Sequence, residues 1–272
     1  NHGIVRHNRV EDGRYGLHFM FANNQVIEDN ELLDNSVGIY LMYGRYLELR
    51  HNWIENNHGP SGYGIGLKDV DDVIAEDNQI VANRVGVYVD NSPREADAVV
   101  RFERNLLAYN EIGVNMLPVV QRNTFTANTF QDNAEQIAVA GSGDLMRNHW
   151  AEGERGNYWS DYAGFDADGD QIGDLPYAAS SFYESLLGRY PELRLFQLSP
   201  AVQALDLAAR AFPVFQPRPK MADPYPLMAP PVTARPQAAA GNPSTAWWIA
   251  AGLVMLGLAV VLSGVAPWRH VR

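Results

Sequence analysis

Soft donor atoms recur near the start of the chain. His18 and Met20 stand two residues apart, and Met42 follows Met20 after 22 residues. Thioether sulfur and imidazole nitrogen suit Cu(I), so these side chains are candidate ligands for that ion if the fold brings them to one surface. The same residues are also compatible with an exposed apolar surface that contacts another protein.

Aromatic side chains accompany this group. Phe21 and Tyr43 directly follow the two methionines, and Tyr40 stands two residues before Met42. Exposed apolar patches usually mark sites of protein–protein contact. We therefore predict that Tyr40, Phe21 and Tyr43 form a docking patch.

A second group of candidate ligands is acidic. It consists of Asp166, Asp168, Asp170 and Asp174. Their offsets of 0, 2, 4 and 8 direct several carboxylate oxygens to one point, as Ca²⁺ requires. Gln171 stands where EF-type loops have a glycine, and we expect it to disfavour a sharp turn with positive φ. A calcium site and a solvated acidic loop that caps the fold are both open interpretations.

A repeat underlies the arrangement of these residues. Pairs of asparagines five residues apart recur at Asn30/Asn35, Asn52/Asn57, Asn78/Asn83, Asn105/Asn110 and Asn128/Asn133. Their first members are 22, 26, 27 and 23 residues apart, and in several copies a glycine at offset eight precedes a short alternating apolar stretch. This pattern predicts an all-β fold, a parallel β-helix that we take to be right-handed, as in known folds of this type. Asparagine at a fixed point of each coil can hydrogen-bond the same amide in the next coil.

The glycines assign the two faces of each strand. The first and third residues after the glycine are apolar in every coil and should point inward, whereas the second and fourth should point outward. The outward set at the start of the chain is His18, Met20, Tyr40 and Met42. Met20 and Met42 then lie on neighbouring coils, about 4.8 Å apart along the solenoid.

Changes in composition divide the chain into four parts. We predict β-helix coils over residues 1–150, as the C-terminal part of a longer solenoid, and a cap with the acidic loop and short helices over 151–212. The proline-rich residues 213–245 predict an extended linker. Residues 246–266 are uncharged and long enough, at roughly 31 Å, to form a transmembrane helix. Basic residues follow, so we expect this helix to anchor the chain in a membrane, with everything before residue 245 outside the cytoplasm.

Composition excludes several classes of function. The chain carries 32 acidic and 21 basic residues, a net charge of −11, which argues against nucleic acid as its main partner. It contains no cysteine, which excludes a disulfide framework, a thiolate metal site and a cysteine nucleophile.

An enzyme on the same scaffold is the main alternative. Polysaccharide lyases, hydrolases and epimerases need a base and acidic groups clustered on an outer sheet. The charged residues that could serve are Lys68, Asp69, Asp71, Asp72, Asp90 and Arg94. We predict them at turns between coils, where they could equally form a solvated rim. A carbohydrate-binding or purely structural solenoid is a further alternative.

Several segments together resemble one protein family. They are GLHFM at 16–20 with its echo GIYLMY at 38–43, GNYWSDY at 156–162, DADGD at 166–170, IGDLPY at 172–177 and DPYPLM at 223–228. In combination they resemble NosD, the periplasmic β-helix protein needed to mature nitrous oxide reductase.

The resemblance implies a role rather than a reaction. A NosD-like protein is not expected to be an enzyme; it acts with an ABC-type ATPase, a membrane permease and a copper chaperone to assemble the copper–sulfur centre of nitrous oxide reductase. Copper would then be a transient cofactor. The resemblance assigns no ligands, so His18, Met20 and Met42 rest on their types and spacing.

Overall fold

The computed structural model shows an all-β solenoid. It describes residues 2–141, 143–179, 190–196 and 219–233, together with positions 199, 201, 204 and 205. The chain divides into one compact unit, Asn1–Thr233, and a second unit, Ala234–Arg272, which lies outside the described residues. The predicted transmembrane segment 246–266 falls in this second unit. No helix among the residues that the structure describes is long and apolar enough to cross a membrane.

Each coil contributes strands to three parallel sheets. Sheet A contains β1 (Gly3–Arg6), β4 (Asn23–Glu28), β7 (Arg45–Arg50), β10 (Asp71–Glu76), β13 (Val100–Glu103) and β16 (Asn123–Thr126). Sheet B contains β2 (Arg9–Glu11), β5 (Glu31–Leu33), β8 (Trp53–Glu55), β11 (Gln79–Val81), β14 (Leu106–Ala108), β17 (Thr129–Gln131) and β19 (Tyr158–Trp159). Sheet C contains β3 (Leu17–Met20), β6 (Ile39–Met42), β9 (Tyr63–Lys68), β12 (Val85–Asp90), β15 (Ile112–Met116) and β18 (Glu135–Val139). The predicted parallel β-helix is confirmed; its right-handedness stays a prediction.

Apolar side chains from every coil stack in the interior. In sheet C the inward positions predicted from the glycines, such as Ile39 and Leu41, are fully buried. Aromatic rings fill the C-terminal end, where Trp159 stacks on Phe130 at a centroid distance of 4.2 Å and on Tyr177 at 4.3 Å. Burial of this kind stabilises the fold by roughly 25 cal/mol per Å² of apolar surface.

A column of glycines lets neighbouring coils approach each other closely. A Cβ atom at Gly38, Gly64 or Gly86 would lie 2.6–2.7 Å from a carbonyl oxygen of the next coil. No side chain can be accommodated at that distance without moving the backbone. This close approach explains why glycine recurs at the start of the sheet C strands. It also explains why aligning the sequence on these glycines brings equivalent positions of successive coils together.

Two columns of asparagines run along the solenoid, one at each end of sheet B. Asn52 donates both its Nδ2–H and its backbone N–H to Asn78 Oδ1, at 2.9 and 3.0 Å. The second Nδ2 hydrogen of Asn52 reaches the carbonyl oxygen of Ile27 in the preceding coil at 2.8 Å. The first column repeats this pattern through Asn8, Asn30, Asn52, Asn78, Asn105, Asn128 and Asn157. The predicted amide ladder is therefore present, and it satisfies polar groups that the fold buries.

Residues 219–233, which we call the strap, close the C-terminal end of the solenoid. In the strap, β21 (Met221–Asp223) pairs antiparallel with β20 (Tyr177–Ala179). Asp223 is fully buried and accepts hydrogen bonds from Asn157 N at 2.7 Å and Trp159 Nε1 at 2.9 Å. It supplies the acceptor that a further asparagine of the first column would supply. These residues, assigned above to the extended linker 213–245, thus pack on the final coil.

The cap predicted over residues 151–212 is described in part. It contains β19, β20 and a 3₁₀ helix at Pro191–Phe196. The other residues for which a helical pattern was predicted lie mostly outside the part of the chain that the structure describes.

Candidate metal and docking site

The two candidate thioethers lie side by side on the outer face of sheet C. Strands β3 and β6 pair in parallel, with Met20 opposite Met42 and His18 opposite Tyr40. Met20 is 47% exposed, His18 is exposed and Met42 is half-buried. Neighbouring strands are about 4.8 Å apart, so two flexible thioethers in register can approach one ion. The structure therefore places the two methionines in register, with His18 on the same outward face of β3, as the spacing predicted.

The imidazole of His18 is part of an aromatic stack. Its ring centroid lies 4.6 Å from that of Tyr15, with the planes 29° apart, and 5.9 Å from that of Tyr40, with the planes 22° apart. The Arg14 side chain extends over the Tyr15 ring, with its Cζ 5.1 Å from the ring centroid. Tyr15 did not emerge from the sequence because it precedes Gly16 and falls outside the alternating strand pattern.

The stack continues along sheet C as a row of tyrosines. Tyr40 contacts Tyr63 at a centroid distance of 6.2 Å, and Tyr63 stacks on Tyr88 at 4.4 Å. Burial raises the pKa of Tyr40 and raises the pKa of Tyr88 to about 12. Both phenols are therefore protonated and uncharged at neutral pH, so this part of the surface adds no negative charge near the methionines.

The thioether column ends at a basic residue. Lys68 on β9 lies opposite Met42, and its Nζ is 3.4 Å from Asp90 Oδ2. The carboxylate of Asp90 raises the pKa of Lys68. A cation at the methionines would therefore meet uncharged donors on β3 and β6, which carry no carboxylate, and an ammonium on the next strand. This donor set fits a soft monovalent ion such as Cu(I) better than a hard divalent one.

The predicted docking patch separates into two parts. Tyr40 belongs to the stack with His18, whereas Phe21 and Tyr43 lie at the corner where the chain leaves sheet C. There the Phe21 and Tyr43 rings stack at a centroid distance of 5.0 Å, and Phe21 is 72% exposed. Both residues have left-handed backbones, with φ of 54° and 55°. In the next two coils this corner is occupied by Asp69 and Asn91, which tolerate that conformation far better than aromatic residues do.

The acidic loop gathers three of its four predicted ligands. One carboxylate oxygen from each of Asp166, Asp168 and Asp170 lies within 4.8 Å of the other two. Asp174 instead accepts a hydrogen bond from Ala167 N at 2.8 Å. Apart from this cluster of carboxylates, no feature of the described residues points to an ion here, so calcium binding stays a prediction.

The expectation for Gln171 in this loop is wrong. Gln171 has φ of 72° and thus adopts the left-handed turn that its side chain was expected to disfavour. The turn is held by Asp166, whose two carboxylate oxygens accept hydrogen bonds from Gly169 N at 2.6 Å and Gln171 N at 3.0 Å. Although desolvation raises it, these backbone donors hold the pKa of Asp166 below its usual value.

Two of the acidic residues considered for an enzyme, Asp71 and Asp72, support a loop. Asp71 is buried and accepts hydrogen bonds from Arg94 N at 2.6 Å and Glu95 N at 3.0 Å. Asp72 is bonded to the Arg45 side chain and to a backbone N–H of the same loop. These carboxylates hold the loop at Arg94, Glu95 and Val99 against the solenoid.

Fold and surface together define a class of protein. The chain is a repeat protein, a parallel β-helix, with the candidate donors His18, Met20 and Met42 on the outer face of one sheet. The family model for NosD, described as a periplasmic copper-binding protein, matches residues 1–164. The chain therefore belongs to the NosD family.

Two curated relatives are similar to part of the chain. A "Probable ABC transporter binding protein NosD" of Pseudomonas aeruginosa is 35% identical over 128 residues, which is 47% of this chain and 29% of that protein. A protein of the same name from Stutzerimonas stutzeri is 34% identical over 126 residues, 46% of this chain and 28% of its own length. The matched part thus spans less than a third of either relative.

Proposed function

We propose that this chain is a non-enzymatic accessory protein that handles Cu(I) during maturation of nitrous oxide reductase in the periplasm. The observation that carries the proposal is the in-register pair Met20 and Met42, with His18 on the same outer face. The description of the NosD family as periplasmic and copper-binding supports it.

The openness of the site suits transfer of an ion rather than its storage. Met20 and His18 are exposed, so another protein can reach the ion and replace one donor at a time. Thioether and imidazole are neutral ligands, so the bound site would keep the single positive charge of Cu(I), and because His18 and Met20 are exposed, water can solvate that charge. A site of this kind exchanges its ion readily with a partner that offers similar donors.

The proposed partners are an ABC-type ATPase with its membrane permease, a copper chaperone and nitrous oxide reductase. The names of the two curated relatives support association with an ABC transporter. The stacked pair Phe21 and Tyr43, immediately beside the methionines, is the proposed contact surface. Its left-handed backbone costs about 1–2 kcal/mol per residue, and the exposed Phe21 ring recovers little of that by burial in the free protein.

A competition titration tests the proposal. The purified chain competes for Cu(I) with a selective chromophoric chelator and is compared with the double variant Met20→Ala/Met42→Ala. We expect stoichiometric binding that is lost in the double variant. Met146→Ala is the matched control, because Met146 is also exposed, at 54%, but lies far along the chain in another coil.

Two results would contradict the proposal. If the unmodified chain fails to compete, or if the double variant competes as well as Met146→Ala does, the outer methionines do not bind copper. Turnover of pectin or alginate by the purified chain would show instead that the scaffold is an enzyme.

A further inference from the structure

We propose that Tyr40, seated over Gly66, is a positioning residue that holds the His18 imidazole in one orientation for a soft monovalent cation at Met20 and Met42. The inference rests on the proposed function and adds a residue that binds no metal itself. It also assigns a role to the absence of a side chain at position 66.

The His18 ring is held in a stack with two other rings. Tyr15 and His18 are 4.6 Å apart, His18 and Tyr40 are 5.9 Å apart, and Tyr15 and Tyr40 are 6.1 Å apart, with interplanar angles of 29°, 22° and 14°. An exposed histidine on a flat sheet otherwise samples several rotamers. The stack removes that freedom before an ion arrives, so binding need not immobilise the ligand.

Gly66 determines where the Tyr40 ring can lie. On β9 it is in register with Tyr40, and a Cβ atom there would lie 2.5 Å from Tyr40 Cδ2 and 2.8 Å from Tyr40 Cε2. Any side chain at this position would push the ring off the sheet. Tyr40 on β6, Gly66 on β9 and Tyr88 on β12 are in register and point outward. Of these three positions, only Gly66 carries no side chain.

The remaining neighbours of the Tyr40 ring restrict it from the other side. Tyr63 lies at a centroid distance of 6.2 Å with its plane tilted by 59°. A Cβ atom at Gly66 would also lie 3.1 Å from Tyr63 Cδ2, so both rings use the same vacant volume. Tyr40 is therefore confined between Tyr63 and the imidazole.

The experiment compares Tyr40→Ala, Gly66→Ala and the conservative Tyr40→Phe in the full chain. The first readout is the NMR shift of the His18 ring protons without metal, which the stack should move upfield. The second is the affinity for Ag(I), a redox-inert probe of Cu(I) sites, followed by the methyl signals of Met20 and Met42. Tyr109→Ala is the matched control, because Tyr109 is an exposed tyrosine on another corner of the solenoid.

We expect Tyr40→Phe and Tyr109→Ala to behave like the unmodified chain in both readouts. Tyr40→Ala and Gly66→Ala should move the His18 signals toward random-coil values and weaken Ag(I) binding by about three- to tenfold, the cost of immobilising one side chain. Circular dichroism and thermal unfolding establish that each variant retains the β-helix.

The outcomes separate this inference from the proposed function. If Tyr40→Ala shifts the His18 signals but leaves Ag(I) affinity unchanged, while Met20→Ala/Met42→Ala abolishes binding, the positioning role is overturned and the proposed function stands. If the methyl signals of the unmodified chain do not respond to Ag(I), both are overturned. An equal loss of affinity in Tyr40→Phe would assign the effect to the phenol hydroxyl and overturn the role of the stacked ring.

Discussion

At the scale of single residues, Met42 lies at a boundary on sheet C. One neighbour in register is Met20, and the other is Lys68, which is paired with Asp90. The glycine alignment predicted the outward direction of Met20 and Met42 because the side-chain period of a strand is two. It could not predict that Tyr63 joins the outer stack. Tyr63 precedes Gly64 at a position that the same alternation assigns to the interior.

A substitution at this boundary should lengthen the thioether column. Lys68→Met places a third thioether in register with Met42 and removes the nearest ammonium. We expect Cu(I) to bind about tenfold more tightly, because a soft ion gains a third sulfur donor. The chelator competition titration measures the change.

Lys68→Leu is the control for this variant. It removes the same charge and fills a similar volume but offers no sulfur. If both variants tighten binding equally, the gain comes from the lost ammonium, and the added thioether is not a ligand.

At the scale of elements, the coil geometry was predictable from two residue types. Glycine marks the start of sheet C strands because the next coil is 2.6–2.7 Å from where Cβ would be, and paired asparagines mark the two ends of sheet B. A third amide contact escaped prediction. Asn123 Nδ2 donates to Asn148 Oδ1 at 2.9 Å, although Asn148 has no asparagine five residues before or after it.

Removing an amide from the middle of the first column should destabilise the whole solenoid. Asn78→Ala leaves the backbone N–H and the Nδ2 of Asn52 without their acceptor and the carbonyl of Leu49 without its donor. Because Asn78 is fully buried, we expect a loss of about 3 kcal/mol in the free energy of unfolding, measured by urea denaturation.

Asn8→Ala provides the comparison within the same column. Asn8 is exposed and lies in the first coil, so water can replace its partners, and the loss should be about 1 kcal/mol or less. Equal losses at the two positions would show that burial of the amide does not determine how much its hydrogen bonds contribute to the free energy of unfolding.

At the scale of the whole molecule, the strap determines how the solenoid ends. Its contacts join distant parts of the chain: Lys220 Nζ lies 2.8 Å from Glu135 Oε1, and Val232 N donates to Thr129 Oγ1 at 3.2 Å. The sequence predicted a cap over residues 151–212 but not this closure by the strap. A short segment rich in proline shows no periodicity from which its packing could be predicted. Only the folded structure reveals that the asparagine column needs a final hydrogen-bond acceptor, which Asp223 supplies.

The buried carboxylate of the strap makes stability depend on pH. Burial raises the pKa of Asp223, although the N–H groups of Asn157, Trp159 and Tyr225 partly oppose this. The folded state therefore holds the proton more tightly than the unfolded state, whose pKa is about 3.9. The contribution of this group to stability is full below that value and is lost as the pH rises through the folded pKa.

Asp223→Asn should abolish that dependence. The unfolding free energy of the unmodified chain should fall relative to that of the variant as the pH increases above about 4, measured by urea denaturation at several pH values. Asp29→Asn, which removes the same charge from an exposed turn, should leave the pH profile unchanged. A difference between the unmodified chain and Asp223→Asn that stays constant with pH would contradict the assignment.

The place of Asp223 in the chain also sets an order of events during biogenesis. Successive rungs of the first asparagine column are separated by 22–29 residues, so each coil can dock on its predecessor soon after it is made. The last rung is different, because Asp223 follows Asn157 by 66 residues. Until those residues emerge, the newest coil presents unpaired strand edges, the kind of surface on which chains pair wrongly with one another. We therefore expect the nascent chain to be more prone to aggregate between the synthesis of Asn157 and that of Asp223 than between any two earlier rungs.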